Sequence, residues 1–234
     1  MTEPTSSPPH GRLVFFDLET TGREPGRHRV IQFAGVAVDA RTLATVEELD
    51  VRVQLLRSDA WEAEALAGNV FAQRTDYKIF EGLIEEERFA EFERAAKVWN
   101  AGAEPTGNAW QKVDAFLNRH KSVTVVSKRS GKPYSVCRLA GFNIHAFDMP
   151  HMRAWYGSKF TPWEYRCLDV FHLACWVAWM ETGCANVPLN LPALRERYGI
   201  RVPGAAHDAL TDVRATVELA RRLLFELTKF RMPG

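Results

Sequence analysis

The chain has 234 residues, of which 46% are hydrophobic and 25% are charged, and its formal net charge is +1. These proportions are ordinary for a soluble globular protein. A net charge this close to zero provides no overall basic field that would indicate nucleic-acid binding. It does not exclude such binding, because a local basic patch is sufficient.

The N-terminal residues 1–11 are polar and proline-rich and lack the apolar core of a signal peptide. They predict a disordered tail in front of one domain at 12–234. The longest apolar run, residues 171–180, is too short to cross a bilayer. The four cysteines lack a C-x-x-C pair or zinc spacing, which favours reduced thiols. We therefore expect a soluble, cytoplasmic protein that does not associate with a membrane.

The first predicted strand, Leu13 to Phe16, is an apolar run that continues directly into Asp17 and Glu19. Alternation along a strand puts these two carboxylates on the same face. Acids at the end of a buried strand are costly unless a positive charge lies between them, and hard oxygen ligands favour Mg²⁺ or Mn²⁺. Taken alone, the pattern is also typical of an ordinary strand edge with solvated acids.

Residues 29–39 and 42–56 predict two further strands, and the short turns between the three strands favour an antiparallel meander. Residues 57–120 are predicted to be mainly helical, with a break near 102–107. The seven tryptophans suggest base stacking, but Trp99, Trp176 and Trp179 lie on apolar helix faces, so we expect these three to be buried.

A hairpin is predicted at 123–142, with strands at 123–126 and 136–142 and a basic tip at 127–133. The tip residues Lys128, Arg129 and Lys132 are explained either by solubility or by contact with the phosphates of an incoming strand. Helices are predicted at 147–156, 169–180, 191–198 and 208–230, the last with a core stripe of Leu210, Val213, Val217, Ala220 and Leu224. Strands first and helices later favour a mixed sheet covered by helices.

Three segments bring acids to strand ends or helix starts. The first holds Asp17 and Glu19, the second Asp148, and the third His207 and Asp212. Each segment has an ordinary structural explanation, and the neighbouring Asp208 is expected to be an N-cap. Together, four carboxylates and one histidine are the constellation of a two-metal hydrolase.

The sequences FFDLETTG, FNIHAFD and HDALTD resemble, in order, the three motifs of the DnaQ-like, DEDDh-type 3′–5′ exonucleases. The resemblance covers about residues 13–224. Within that family, the five-residue step from Asn143 to Asp148 is most similar to the nuclease domain of bacterial exonuclease I. The resemblance implies an α/β fold, namely a ribonuclease-H-like mixed five-stranded sheet flanked by helices, with an additional hairpin and a helical insertion.

The resemblance also implies the roles of the site residues. Two Mg²⁺ or Mn²⁺ ions would be held by four acids, and His207 would deprotonate the attacking water. The terminal nucleotide would be contacted at the turn after the first strand and beside the second motif. The acids are Asp17, Glu19, Asp148 and Asp212, and the substrate-binding residues are Thr20, Thr21, Gly22, Asn143 and Phe147. Asp169 is expected to be structural, and His145 and His151 match nothing catalytic.

The implied activity is release of nucleoside monophosphates from the 3′ end of single-stranded DNA. An exoribonuclease that trims RNA 3′ ends on the same fold remains an alternative, since no residue reports recognition of the 2′-hydroxyl. A second alternative is a proofreading or adaptor subunit associated with a polymerase or with repair, which would bind a protein partner through residues 57–120. The sequence does not specify the oligomeric state.

Overall fold

The computed structural model of the protein describes residues 11–56, 59, 89–157, 161–183, 186–204 and 208–230. Its strands are β1 (Arg12–Thr20), β2 (Val30–Asp39), β3 (Thr45–Arg52), β4 (Val123–Val126), β5 (Pro133–Val136), β6 (Leu139–Gly141) and β7 (Leu168–Asp169). Its helices are α1 (Phe89–Asn100), α2 (Thr106–Arg119), α3 (Asp148–Tyr156), α4 (Val170–Thr182), α5 (Leu191–Arg197) and α6 (Ala209–Leu227).

The main sheet has five strands in the order β3-β2-β1-β6-β7. Strands β1, β2 and β3 pair antiparallel, whereas β6 runs parallel to β1 and β7 parallel to β6. The central strands are buried because both faces of the sheet are covered, which explains the apolar runs in β1 and β2. The predicted meander and the mixed five-stranded sheet flanked by helices are both confirmed.

Helices cover the sheet on two faces. Helices α4, α5 and α6 contribute to one apolar cluster, which also contains Phe15 and Ala34. Helices α2 and α3 contribute to a second cluster around Phe16 and Phe33. Gly35 of β2 permits the close approach of α2, since a Cβ there would lie 2.8 Å from the Phe116 ring. The helices are therefore held against strands whose ends carry the acidic motifs.

The hairpin exists, but its second strand differs from the prediction. Strand β4 pairs with β5 in a separate two-stranded sheet, and the chain then changes partner so that β6 joins the main sheet. The change occurs at Cys137, whose N–H donates to the Pro162 carbonyl, 2.8 Å away, instead of continuing the hairpin. The hairpin base also lies beside the start of β1, where the Ser122 hydroxyl donates to the Arg12 carbonyl. The base of the hairpin is thus at the end of the sheet where β1 starts, opposite the end where the acids of β1 lie.

Three side chains that the sequence predicts to be buried are exposed. Leu224 of α6 is 47% exposed, and Leu223 is buried in its place. Trp176 and Trp179 of α4 are 62% and 51% exposed, whereas Trp99 is buried as predicted. Because the sequence of α4 is apolar on all sides of the helix, it does not show which face is buried. Its inner side is formed by smaller residues, which are Val170, Ala174, Val177 and Ala178.

Some predictions fall on residues outside the described ranges. They concern the tail before residue 11, most of the predicted helical stretch before residue 89, and His207. The described part of that stretch forms α1 and α2 with a break between them, as predicted. That residues 12–234 form one domain stays a prediction. Among the described helices, none has both the length and the apolarity needed to cross a membrane.

Candidate active site

An open cleft of about 570 Å³ lies where β1 and β6 end and α3 begins. Parallel pairing places the carboxyl ends of β1 and β6 at the same edge of the sheet, so the first two motifs meet there. Helix α6 packs on the sheet and brings in the third motif. The residues lining the cleft are Asp17, Leu18, Glu19, Phe142, Asn143, Phe147, Asp148, Leu191, Pro192, Arg195 and Asp212.

Three of the predicted acids converge closely. One carboxylate oxygen from each of Asp17, Glu19 and Asp212 lies within 4.8 Å of the others. Oxygen donors from three carboxylates suit a hard divalent cation such as Mg²⁺ or Mn²⁺. The donor set therefore fits the metal that the sequence motifs imply.

The fourth acid, Asp148, lies in the same cleft and is held against β1. Its Oδ1 accepts a hydrogen bond from the Leu18 backbone N–H, 3.0 Å away. This bond joins the first residue of α3 to the residue between Asp17 and Glu19. The side chain of Asp148 is buried, so its orientation is fixed by the fold.

The electrostatics of the cleft also favour a cation. Burial raises the pKa of Asp17 well above its ordinary value, and repulsion from Asp148, Glu19 and Asp212 raises it further. Burial and repulsion from Asp212 and Asp148 likewise raise the pKa of Glu19. Burial raises the pKa of Asp148 to about 8, although the Leu18 N–H opposes the shift. A positive charge among these groups would relieve the cost of ionising them.

The third motif is held in place by a side-chain network that differs from the predicted cap. Asp208 stands at the N-cap position of α6, but its side chain does not cap the helix backbone. Its carboxylate instead accepts hydrogen bonds from Gln32 Nε2, at 3.0 Å, and from Thr211 Oγ1, at 3.1 Å. Gln32 is buried in β2 and also donates to Asp50 of β3. This network joins the start of α6 to the sheet, one helical turn before Asp212.

His207, the predicted base, lies outside the described residues. Its sequence neighbour Asp208 is described and is joined to Gln32 as above.

The turn after β1 is braced internally. The Thr20 hydroxyl donates to the Gly22 carbonyl at 2.7 Å, and the Thr21 hydroxyl accepts from the Arg29 N–H at 2.9 Å. A Cβ on Gly22 would lie 2.6 Å from the His28 ring, so only glycine fits there without a shift. Both threonines are buried and neither lines the cleft. In this structure their hydroxyl groups therefore act within the turn.

The second motif places both of its predicted contact residues in the cleft. Asn143 and Phe147 line it, and Asn143 has a positive φ of 57°. The Asp169 carboxylate accepts hydrogen bonds from the backbone N–H groups of Asn143, His145 and Phe171. Asp169 thus supports this loop and the start of α4, which agrees with the structural role expected for it.

The two histidines near the second motif contact other side chains of that region. His145 is exposed, and its Nε2 lies 3.2 Å from the Cys167 Sγ. His151 is buried, and its ring centroid lies 4.9 Å from that of Phe147. Neither histidine lines the cleft.

Arg195 of α5 lines the cleft and was not identified from the sequence. Its Nη1 lies 3.5 Å from Asp212 Oδ1, at the limit of a hydrogen bond. Sequence patterns provided no signal for it, because Arg195 lies outside the three motifs, in a short segment with other arginines. It places a positive charge at the edge of the acidic cluster.

Comparisons with known proteins agree with this geometry. Residues 14–101 match the family model described as "Exonuclease". No curated protein matches the chain by sequence. Among solved structures, the fold is similar to that of E. coli exonuclease I in complex with a dT13 oligonucleotide, with a TM-score of 0.63 and 18% identity. The alignment covers 94% of this chain and 42% of that one.

A second similar structure is a moderately thermophilic exonuclease I from Methylocaldum szegediense, with a TM-score of 0.59 and 23% identity. The match covers 94% of this chain and 46% of the other. The chain therefore spans less than half the length of these exonucleases. The predicted resemblance to the DnaQ-like exonucleases and the ribonuclease-H-like fold are confirmed.

Proposed function

Starting from a chain that has the fold of exonuclease I and carries an exonuclease family match, we propose that this protein is a metal-dependent 3′–5′ exonuclease. Its substrate would be the 3′ end of single-stranded DNA, from which it would release nucleoside monophosphates. The observation that carries the proposal is the convergence of Asp17, Glu19 and Asp212 in one cleft with Asp148. The structural relative bound to an oligothymidylate supports DNA as the substrate.

Two divalent ions would be held by Asp17, Glu19, Asp148 and Asp212. When bound, such ions stabilise negative charge on the phosphate and lower the pKa of water. Asp17 lines the cleft together with Glu19 and Asp148, so its carboxylate would help to hold the ions. Magnesium and manganese both prefer the oxygen donors that these side chains supply.

His207 would accept a proton from the attacking water while the oxygen of that water bonds to phosphorus. The bond from phosphorus to the 3′ oxygen of the preceding nucleotide then breaks, and that oxygen takes up a proton. An imidazole titrates near neutral pH and can therefore accept and release a proton in every cycle. Its position next to Asp208 and five residues before Asp212 is consistent with this role.

The function is tested by incubating the purified protein with Mg²⁺ or Mn²⁺ and labelled DNA and RNA oligonucleotides of one sequence. We expect a ladder that shortens from the 3′ end, faster degradation of DNA, and protection by a blocked 3′ end. Faster degradation of RNA would support the exoribonuclease alternative. If neither strand were hydrolysed, the catalytic proposal would fail and an adaptor function would gain support.

His207→Ala should lower the degradation rate by at least about a hundredfold, as expected for loss of a general base. The wild-type rate should rise with pH through the histidine pKa, about 6.5 in the unperturbed group, because only neutral imidazole accepts the proton. The variant should lose this rise. Isothermal titration with Mn²⁺ should show unchanged ion binding; loss of binding would make His207 a ligand and contradict the assignment.

Arg195 is suited to bind a phosphate of the substrate, since it carries the positive charge that lines the cleft beside Asp212. Arg195→Gln should raise KM for an oligonucleotide about tenfold, because hydrogen bonds to charged groups are the stronger ones. Arg197→Gln is the matched control, since Arg197 is on the same helix as Arg195 but pairs with Glu181 of α4. If KM were unchanged and the Mg²⁺ requirement were altered, Arg195 would act on Asp212 and would not bind the substrate.

A further inference from the structure

Helix α4 presents an exposed aromatic surface, here called the α4 surface, formed by His172, Trp176 and Trp179. The three residues are spaced by four and three positions and so lie along one side of the helix. The two indole rings meet edge to face, with centroids 5.7 Å apart and planes at 83°. This arrangement leaves ring faces open to another planar group.

The α4 surface begins beside the catalytic cleft. Strands β6 and β7 are parallel, so Asp169 and the start of α4 lie at the same edge of the sheet as the end of β6. Phe142, which lines the cleft, meets Phe171 at a centroid distance of 5.8 Å. His145, two residues beyond Asn143, has its ring centroid 6.1 Å from that of His172. Aromatic rings therefore extend from the cleft to the helix.

The charges near this surface favour a polyanion. Arg153 and Arg166 are exposed in the described segments leading to α4. The carboxylates of Asp148 and Glu164 in those segments are buried, and that of Asp169 accepts hydrogen bonds from backbone N–H groups. The described residues between 142 and 180 therefore carry exposed guanidinium groups and no exposed carboxylate, and the exposed Glu181 that follows is paired with Arg197.

We propose that the α4 surface binds the bases of a single-stranded nucleic acid upstream of the nucleotide held in the cleft. The inference rests on the proposed function, which supplies the strand, and adds the path that the strand follows. Stacking on an aromatic ring suits any base, because every base has a π face, so the contact needs no particular sequence. From His172 to Trp179 the helix rises about 10 Å, which is long enough for more than one base.

The test compares binding of labelled oligothymidylates of about three and about twelve nucleotides in EDTA, where the strand is not cut. Fluorescence anisotropy should show that the double substitution Trp176→Ala/Trp179→Ala raises the Kd for the longer strand at least about tenfold. The shorter strand fills only the cleft, so its Kd should be unchanged. The double tyrosine variant keeps aromatic faces and should retain most of the affinity. Phe225→Ala, which removes an exposed ring on α6, is the control.

An unchanged Kd of the double alanine variant for the longer strand would overturn the inference. An equal rise in Kd for both strands would also overturn it, because it would indicate a damaged cleft. Light scattering of the same samples tests the competing occupant. If the wild-type protein were a dimer, the double alanine variant a monomer, and their Kd values for the longer strand equal, the α4 surface would be assigned to self-association. If the tryptophan substitutions change Kd as expected but the wild-type protein never degrades the longer strand with Mg²⁺, the proposed function fails and this inference stands.

Discussion

Replacing Asp17 by asparagine should lower the rate of strand degradation by about a thousandfold. Asp17 lines the cleft together with Glu19, Asp212 and Asp148, and the amide keeps the shape of the carboxylate while removing its charge. Stabilisation of transition-state charge by a bound ion contributes several kcal/mol, and each 1.4 kcal/mol is about tenfold in rate. The measurement is release of mononucleotides from a 3′-labelled strand at saturating Mg²⁺.

Asp114→Asn provides the control for this substitution. Asp114 lies on α2, away from the cleft, and its side chain accepts a hydrogen bond from Asn118. It should leave the rate unchanged, and circular dichroism should show that both variants are folded. Full activity in the Asp17 variant would remove the catalytic proposal, because Asp17 belongs to the acidic cluster on which that proposal is built.

Asp148→Asn should stabilise the cation-free protein at neutral and mildly alkaline pH, although it should reduce activity. Burial raises the folded-state pKa of Asp148 from 3.8 to about 8. Below about pH 4 the carboxyl is protonated in both the folded and the unfolded chain, so it costs nothing. Between pH 4 and 8 the unfolded chain releases the proton first, and the stability of the folded protein falls as pH rises.

The asparagine removes this penalty and keeps an oxygen that can accept the Leu18 N–H. We expect a gain of up to about 5 kcal/mol in the free energy of unfolding at pH 8, which is the cost that a pKa raised to about 8 implies, and almost none at pH 4. Urea titrations in EDTA at the two pH values measure it. Adding Mg²⁺ should stabilise the wild type more than the variant. A variant that is less stable than wild type at pH 8 in EDTA would contradict the electrostatic account.

Much of the fold could be predicted because its signals are local. The apolar run of β1 and its continuation into Asp17 and Glu19 identify a buried strand that ends in acids. Short turns predict the antiparallel order of β1, β2 and β3. The motif containing Asp148 predicts where the next acid enters, because a strand and a helix start flank it. These features depend on neighbouring residues, which the sequence displays directly.

The order of residues alone therefore identifies the chemistry available to the cleft, namely several carboxylates at strand ends and helix starts. The folded arrangement adds that Arg195 reaches Asp212, that Gln32 and Thr211 bind Asp208, and that Trp176 faces outward. The contacts of Arg195 and Asp208 depend on which elements become neighbours. The outward position of Trp176 depends on the small residues that α4 packs against the sheet. Periodicity within one segment carries no information about such long-range packing.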